Sequence, residues 1–404
     1  MRLEGVEVRW VELAFRRPVH TAAGSHRSRP VVLVRVRAGG VEGWGECGAM
    51  AGATPVDPDV EQVWSELCSS GVGRLLQAAR SRGGNVPESS RVPSLFGTAP
   101  PQRMAAAALE MAVLDAELRR DGLSVARRFS PLGPPPTAGA SPIPASPGKA
   151  SPVVRVPAGA AVGIPGDRRL ATVRAAVGNA VDRGFARVRL KIEPGWDLEP
   201  VAAVRGDHPG LVLQADANGS YRLGRPDGGG PDDARRLAGL DALGLACVEQ
   251  PLPAADLPGH AALADLLATP VCLDESLTTP RRVEDAIRYG ACEVACLKPA
   301  RLGGLSAARR ALDHCRAAGV GAFVGGFFET GLGRTANAAL AALAGFTLPG
   351  DLSAPSDYLV EDPFDYPPVV GGFVHLGGTP GIAPAPDDDV LRRLTRRQEW
   401  FAAS

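Results

Sequence analysis

The first 60 or so residues alternate between apolar and polar positions. Val31, Leu33, Val34 and Val36 lead into Gly39-Gly40, and Gly43 to Glu46 follow, a pattern that predicts a hairpin or small antiparallel sheet. The period then changes. Met104, Ala108, Met111, Leu114 and Leu118 recur at helical spacing in an alanine-rich run from Gln102 to Arg120, which stops at Asp121-Gly122. Strands followed by a helix make residues 1–128 an α+β unit.

Residues 131–152 hold eight prolines among alanine, serine and glycine. That composition cannot bury a core, so residues 129–157 are expected to be an extended or disordered insertion whose removal leaves the fold intact. Beyond it, short apolar runs ending in a polar residue alternate with helical stretches of alanine and arginine. The expected strands are Ala161 to Ile164, Val188 to Ile192, Leu211 to Asp216, Leu245 to Gln250, Val271 to Glu275, Val294 to Lys298 and Gly321 to Gly325, with an eighth near Phe346. Seven or eight such βα units predict an α/β fold with a parallel barrel over 158–345; an open parallel sheet is the alternative.

Composition narrows the function classes. The 404 residues carry 44 acidic and 44 basic side chains and are 45% hydrophobic. That balance offers no basic face to nucleic acid or to a membrane surface, so a small-molecule partner is expected. No run approaches the roughly 18 apolar residues of a spanning helix, and a cytoplasmic protein without a signal peptide is expected. The seven cysteines are scattered without zinc-ligand spacing, which predicts small buried apolar residues rather than disulfides.

The basic residues are unevenly divided. Only Lys149, Lys191 and Lys298 are lysine; the other 41 are arginine. Arginine serves a solvated surface equally well but cannot give up its proton, so it cannot replace a lysine acting as a base. Lys149 lies in the proline-rich stretch, which leaves Lys191 and Lys298 as candidate catalytic groups. Lys191, Asp216, Glu249, Asp274 and Lys298 fall at the C-terminal ends of five successive predicted strands, separated by 25, 33, 25 and 24 residues. Barrel enzymes build their sites at those ends. Three carboxylates converging there would repel one another unless a cation shared them, and oxygen-only donors suit Mg²⁺ or Mn²⁺. Such an ion can hold a substrate carboxylate and neutralise the enediolate formed when a lysine removes the neighbouring proton.

An ordered set of motifs spans nearly the whole chain: VEGWGEC at 41–47, ALEMAVLDAEL at 108–118, LKIEPGWDLEP at 190–200, DAN at 216–218, EQPL at 249–252, CLDES at 272–276, KPARLGG at 298–304, GGFFETGLGR at 325–334 and FTLPGD at 346–351. The set resembles the enolase superfamily, its muconate-lactonizing subgroup, and most closely the o-succinylbenzoate synthase and N-acylamino acid racemase family. The resemblance implies a modified (β/α) barrel closed by an α+β cap, built from the N-terminal region and completed by the tail of residues 346–404. It implies a homo-oligomer, and Asp216, Glu249 and Asp274 as metal ligands with Asn218 and Glu275 supporting them. Lys191 and Lys298 would face each other across the substrate.

The implied leading activity is the metal-dependent syn-dehydration of 2-succinyl-6-hydroxy-2,4-cyclohexadiene-1-carboxylate to 2-succinylbenzoate, a step of menaquinone biosynthesis. The alternative is racemisation of an N-succinylamino acid or other N-acylamino acid. A cycloisomerase and a non-catalytic metal-binding barrel are further readings, the last disfavoured by the two spared lysines. One departure stands out: the family's Lys-x-Lys reads Arg189-Leu190-Lys191 here. Specificity is expected from a loop at Phe15 to Arg29, whose arginines suit an anionic succinyl group, and from Gly326, Phe327, Phe328 and Glu329. Arg301 matches a position associated with racemase-capable members.

Overall fold

Glycine and alanine at matched spacing decide how the first unit closes. The computed structural model describes residues 1–21, 24–129, 153–224 and 233–403. The proline-rich stretch 131–152 and most of the glycine-rich loop after Leu223 lie outside the described residues. Strands β1 (Leu3–Thr21), β2 (Gly24–Ala38) and β3 (Val41–Glu46) form an antiparallel sheet. The helix Pro100–Arg120 lies across it. At Gly45 an added Cβ would stand 2.0 Å from the carbonyl oxygen of Ala108, and at Gly43 one would stand 2.2 Å from that of Ala112. Ala108, Ala112 and Ala116, four residues apart, give the helix the smooth ridge that rests on those glycines.

Both faces of the sheet are covered, which explains the unbroken apolar run at Val31 to Val34. Val32, Val34 and Val36 pack with Met104, Leu109 and Val113 in the first core. Val31 and Leu33 point the other way, into the larger core that also takes Met111, Leu114 and Leu118. The helix is therefore wedged between two cores rather than presenting one apolar stripe.

The second sheet is parallel and closed. Strands β4 (Val154–Val162), β5 (Arg187–Lys191), β6 (Val212–Asp216), β7 (Val248–Glu249), β8 (Val271–Leu273), β9 (Val294–Leu297) and β10 (Gly321–Val324) pair in sequence order. Strand β11 (Gly350–Asp351) pairs in parallel with β4, while Thr347 and Leu348 just before it donate to Ala322 O on β10, which closes the ring. A helix follows each of β4 to β10. Strands β12 (Val369–Val370) and β13 (Phe373–Leu376) extend the sheet beyond β4, and β14 (Thr395–Ala402) pairs with β1, so the C-terminal tail completes the cap.

Three local expectations are corrected. Within the stretch Phe15 to Arg29, expected as a loop, the described residues continue the β1–β2 ladder, with Val19 opposite His26. Its backbone bonds leave no apolar alternation in the sequence. The first barrel strand starts at Val154 rather than Ala161, because β13 pairs along it from Leu376 to Phe373. The eighth strand is only Gly350–Asp351, beyond Phe346, too short to register as an apolar run.

Candidate functional site

Strand β5 carries Arg187, Arg189 and Lys191 on one side, with Val188 and Leu190 on the other in the larger core. Period two therefore sends three cations into the barrel and two apolar side chains towards the helices. Gln214 and Asp216 on β6, Glu249 on β7 and Asp274 after β8 point the same way. Register aligns them: Lys191 pairs with Asp216, and Asp216 with Glu249. Lys298 follows directly on β9 and precedes the short helix Pro299–Leu302. Below this polar layer, Cys247, Cys272 and Cys296 pack with Val294 and Phe323 in a separate apolar cluster, small side chains filling the barrel interior.

Every acidic group in the layer is fully or almost fully buried, and each faces a cation. Asp216 Oδ2 accepts from Lys191 Nζ at 2.5 Å and from Arg189 Nη1 at 3.0 Å. Glu249 Oε1 accepts from the same Arg189 Nη1 at 2.7 Å, and its Oε2 accepts from Gln214 Nε2. Asp274 Oδ2 accepts from Lys298 Nζ at 2.7 Å, and its Oδ1 from Arg301 Nη1. Asn218, at φ 43°, accepts from Lys191 Nζ through Oδ1 and donates to Glu275 Oε1 at 2.9 Å. Lys191 differs from Lys298 in access: 29% of its side chain is exposed against 10%.

Burial and charge work against each other in this layer. Burial pushes Glu249 up to about 8; Arg189 pulls the other way, and Asp216 and Asp274 add to the rise. For Asp274 burial is outweighed by Arg301 and Lys298, which hold it below the carboxylate range. Burial likewise disfavours the Lys298 ammonium, yet Asp274 keeps it charged. Glu249, Asp274 and Cys296 each bring a donor atom into a group no more than 4.8 Å across. Asp216 is not in that group; Arg189 joins it to Glu249. Burial keeps the Cys296 thiol protonated, so the hard donors in the group are the Glu249 and Asp274 carboxylates, and buried carboxylate oxygens drawn that close together fit a divalent ion.

The walls come from both units. Phe327 lies with its ring 4.8 Å from Lys298 Nζ and 5.1 Å from Arg301 Cζ. At Gly325 a Cβ would stand 2.4 Å from Cys296 Sγ and 2.9 Å from Lys298 Cε, so the close approach of Lys298 demands glycine. Gly326 is similarly hemmed in by Arg334 and Glu329, both 2.8 Å from where its Cβ would be. Phe328, at φ 58°, stacks edge-on with Phe15 at 5.6 Å and Tyr358 at 5.3 Å. Glu329 braces its own segment: Oε1 accepts from Phe327 N and Asn337 Nδ2, and Arg334 pairs with Oε2. Arg29 is buried and donates to the carbonyls of Phe327, Pro30 and Ala49, which makes it a brace rather than a solvated anion binder.

Several contributing residues carry little or no signal in the sequence. Asp57, from the cap, forms a two-pronged pair with Arg301 at 2.8 and 2.6 Å and so reaches Asp274 at one remove; no local pattern marks it. Gln250, at φ 41°, accepts from the backbone N–H of Asp274 and Ser276 and shapes that turn; its place in EQPL is the only signal. Arg187 and Asp351 pair at 2.5 Å inside the barrel. The basic residue at every second position of β5 could have revealed Arg187.

Comparison with known proteins identifies the family. Residues 172–390 match the family described as enolase C-terminal domain-like, and residues 5–128 match the mandelate racemase / muconate lactonizing enzyme N-terminal domain. The chain is 38% identical to an N-succinylamino acid racemase of an Amycolatopsis species over 406 residues, covering 100% of both. It is 33% identical to the o-succinylbenzoate synthase of Geobacillus stearothermophilus over 404 residues, covering 100% of this chain and 97% of that one. A solved structure described as a probable mandelate racemase from Alicyclobacillus acidocaldarius superimposes with a TM-score of 0.83 at 33% identity, over 99% of each chain. Among the described residues no helix is long and apolar enough to cross a membrane.

Proposed function

Since the chain belongs to the enolase superfamily, in the family of o-succinylbenzoate synthases and N-succinylamino acid racemases, we propose that it is an enzyme that removes the proton beside a substrate carboxylate, as an o-succinylbenzoate synthase. The observation that carries the reading is the placement of Lys191 and Lys298 at the ends of β5 and β9, with Asp216, Glu249 and Asp274 between them in strand order.

A Mg²⁺ ion held by those three carboxylates would supply positive charge to the substrate carboxylate. Lys191, the more accessible lysine, takes the α-proton of the cyclohexadiene carboxylate. The ring then expels hydroxide and becomes aromatic; the proton taken and the hydroxide released together make water. Lys298, held as an ammonium by Asp274, offsets the negative charge that develops on the substrate. Phe327 and Phe328 exclude water from one side of the site, and Asn218 orients Lys191.

A second reading is favoured by the 38% identity to an N-succinylamino acid racemase over the full chain. There Lys191 and Lys298 exchange protons on opposite faces of the α-carbon. Both activities can share the site. The test is turnover of the cyclohexadiene carboxylate with Mg²⁺, run beside racemisation of N-succinylamino acids, for wild type and Lys191→Arg. Fast dehydration lost in the variant supports the synthase; racemisation alone makes the second reading the activity; neither reaction rejects both.

A further inference from the structure

We infer that Arg189 is an internal cation that competes with the divalent ion for Asp216 and Glu249, and that Asp351, from the eighth strand, sets the strength of that competition. The inference rests on the metal-centre part of the proposed function. Arg189 Nη1 lies between Asp216 Oδ2 and Glu249 Oε1, at 3.0 and 2.7 Å, where two of the three candidate ligand carboxylates meet. Its other nitrogen, Nη2, lies 2.7 Å from Asp351 Oδ2. A lysine ammonium is a single point charge; the planar guanidinium reaches both sides at once and cannot lose its charge.

The contacts close into a ring. Asp351 Oδ1 pairs with Arg187 Nη2, Arg187 Nη1 donates to Gln214 Oε1, and Gln214 Nε2 donates to Glu249 Oε2. Glu249 Oε1 then accepts from Arg189, whose Nη2 returns to Asp351. Both oxygens of Glu249 are thus engaged by protein donors. A divalent ion claiming Glu249 and Asp216 must weaken the Arg189 contacts and bear the repulsion of a neighbouring cation. Asp351 moderates both effects, because it gives the guanidinium an anionic partner on the side away from Asp216 and Glu249. Without that partner, the full charge of Arg189 falls on the ligand carboxylates.

The two residues therefore act on ion affinity with opposite signs. Mn²⁺ alone, without substrate, is titrated by calorimetry into wild type, Arg189→Met, Arg189→Lys, Asp351→Asn and the Arg189→Met/Asp351→Asn double variant. Arg189→Met is expected to bind Mn²⁺ about tenfold tighter or more, and Asp351→Asn about tenfold weaker. In the double variant most of the Asp351 effect should vanish, since Asp351 acts through Arg189. Ion-induced thermal stabilisation should rank the same way, with the largest rise in Arg189→Met. A merely structural role would weaken binding in both single variants, and that result overturns the inference. Unchanged affinity in Arg189→Met also overturns it, while leaving the metal centre standing. If Arg189→Met does not fold, Arg189→Lys must bind more tightly than wild type, or the inference fails. Absence of Mn²⁺ binding in wild type overturns both the inference and the metal-centre reading.

Discussion

Replacing Lys298 by Met removes one of the two cations that face Asp274 while keeping a side chain of similar length. The substitution abolishes the 2.7 Å ion pair between Lys298 Nζ and Asp274 Oδ2. Orphaning a buried charge costs about 3–5 kcal/mol. Asp274 is not orphaned, because Arg301 Nη1 still donates to Oδ1, and the thioether can rest on the Phe327 ring where the ammonium lay. The expected cost is therefore nearer that of one charged hydrogen bond, about 2 kcal/mol. The chemical cost is far larger. Loss of a preorganised cation at the developing charge should lower the dehydration kcat by about a thousandfold. N-succinylamino acids in D₂O separate the two lysines: one enantiomer should still exchange its α-proton, through Lys191, while the other does not and racemisation stops. The assay is proton NMR of each enantiomer with the variant. Exchange of both enantiomers at near wild-type rates would refute the assignment of Lys298, and wholesale unfolding would refute the argument that Arg301 keeps Asp274 paired.

Other outcomes follow from the same geometry. Gly45→Ala places a Cβ 2.0 Å from Ala108 O and should cost about 3 kcal/mol by forcing the cap helix off its sheet; the denaturant midpoint should fall with little change in slope. Gln250→Leu leaves the N–H groups of Asp274 and Ser276 unpaired in a buried turn, so stability should fall by about 2–4 kcal/mol and Mn²⁺ affinity should fall with it, read by melting and titration. In protein freed of divalent ions, burial raises Glu110 and Asp362 to about 7 and Glu249 to about 8. The folded state then binds more protons than the unfolded one, so these groups contribute full stability below about pH 4.5 and lose it as pH rises through about 7 to 8. The ion-free melting temperature should therefore drop across that window, and a saturating divalent ion should cancel the Glu249 share; a rise in the ion-free melting temperature would contradict the assignment.

Much of the candidate site was legible in the chain because the proposed chemistry needs particular atoms at the ends of particular strands. Of the two basic side chains abundant on surfaces only lysine can give up its proton, so Lys191 and Lys298 stand out among 41 arginines, and βα units of similar length space Asp216, Glu249 and Asp274 between them. Period-two and helical patterns likewise foretold the small antiparallel sheet, the alanine-rich helix and the parallel strands, since those depend on neighbours a few residues apart. The rest depends on residues distant in sequence meeting in space. Asp57 joins Arg301 across 244 positions, Asp351 meets Arg187 across 164, and β14 pairs with β1 from the far end of the chain. The far end of the β1–β2 ladder, where Val19 lies opposite His26, and the two-residue eighth strand are held by backbone bonds that side-chain patterns do not record. Whether Arg189 replaces a lysine harmlessly was also beyond local reading: only the closed barrel shows the guanidinium shared between Asp216, Glu249 and Asp351, because which carboxylates surround a buried cation is decided by strand register and ring closure.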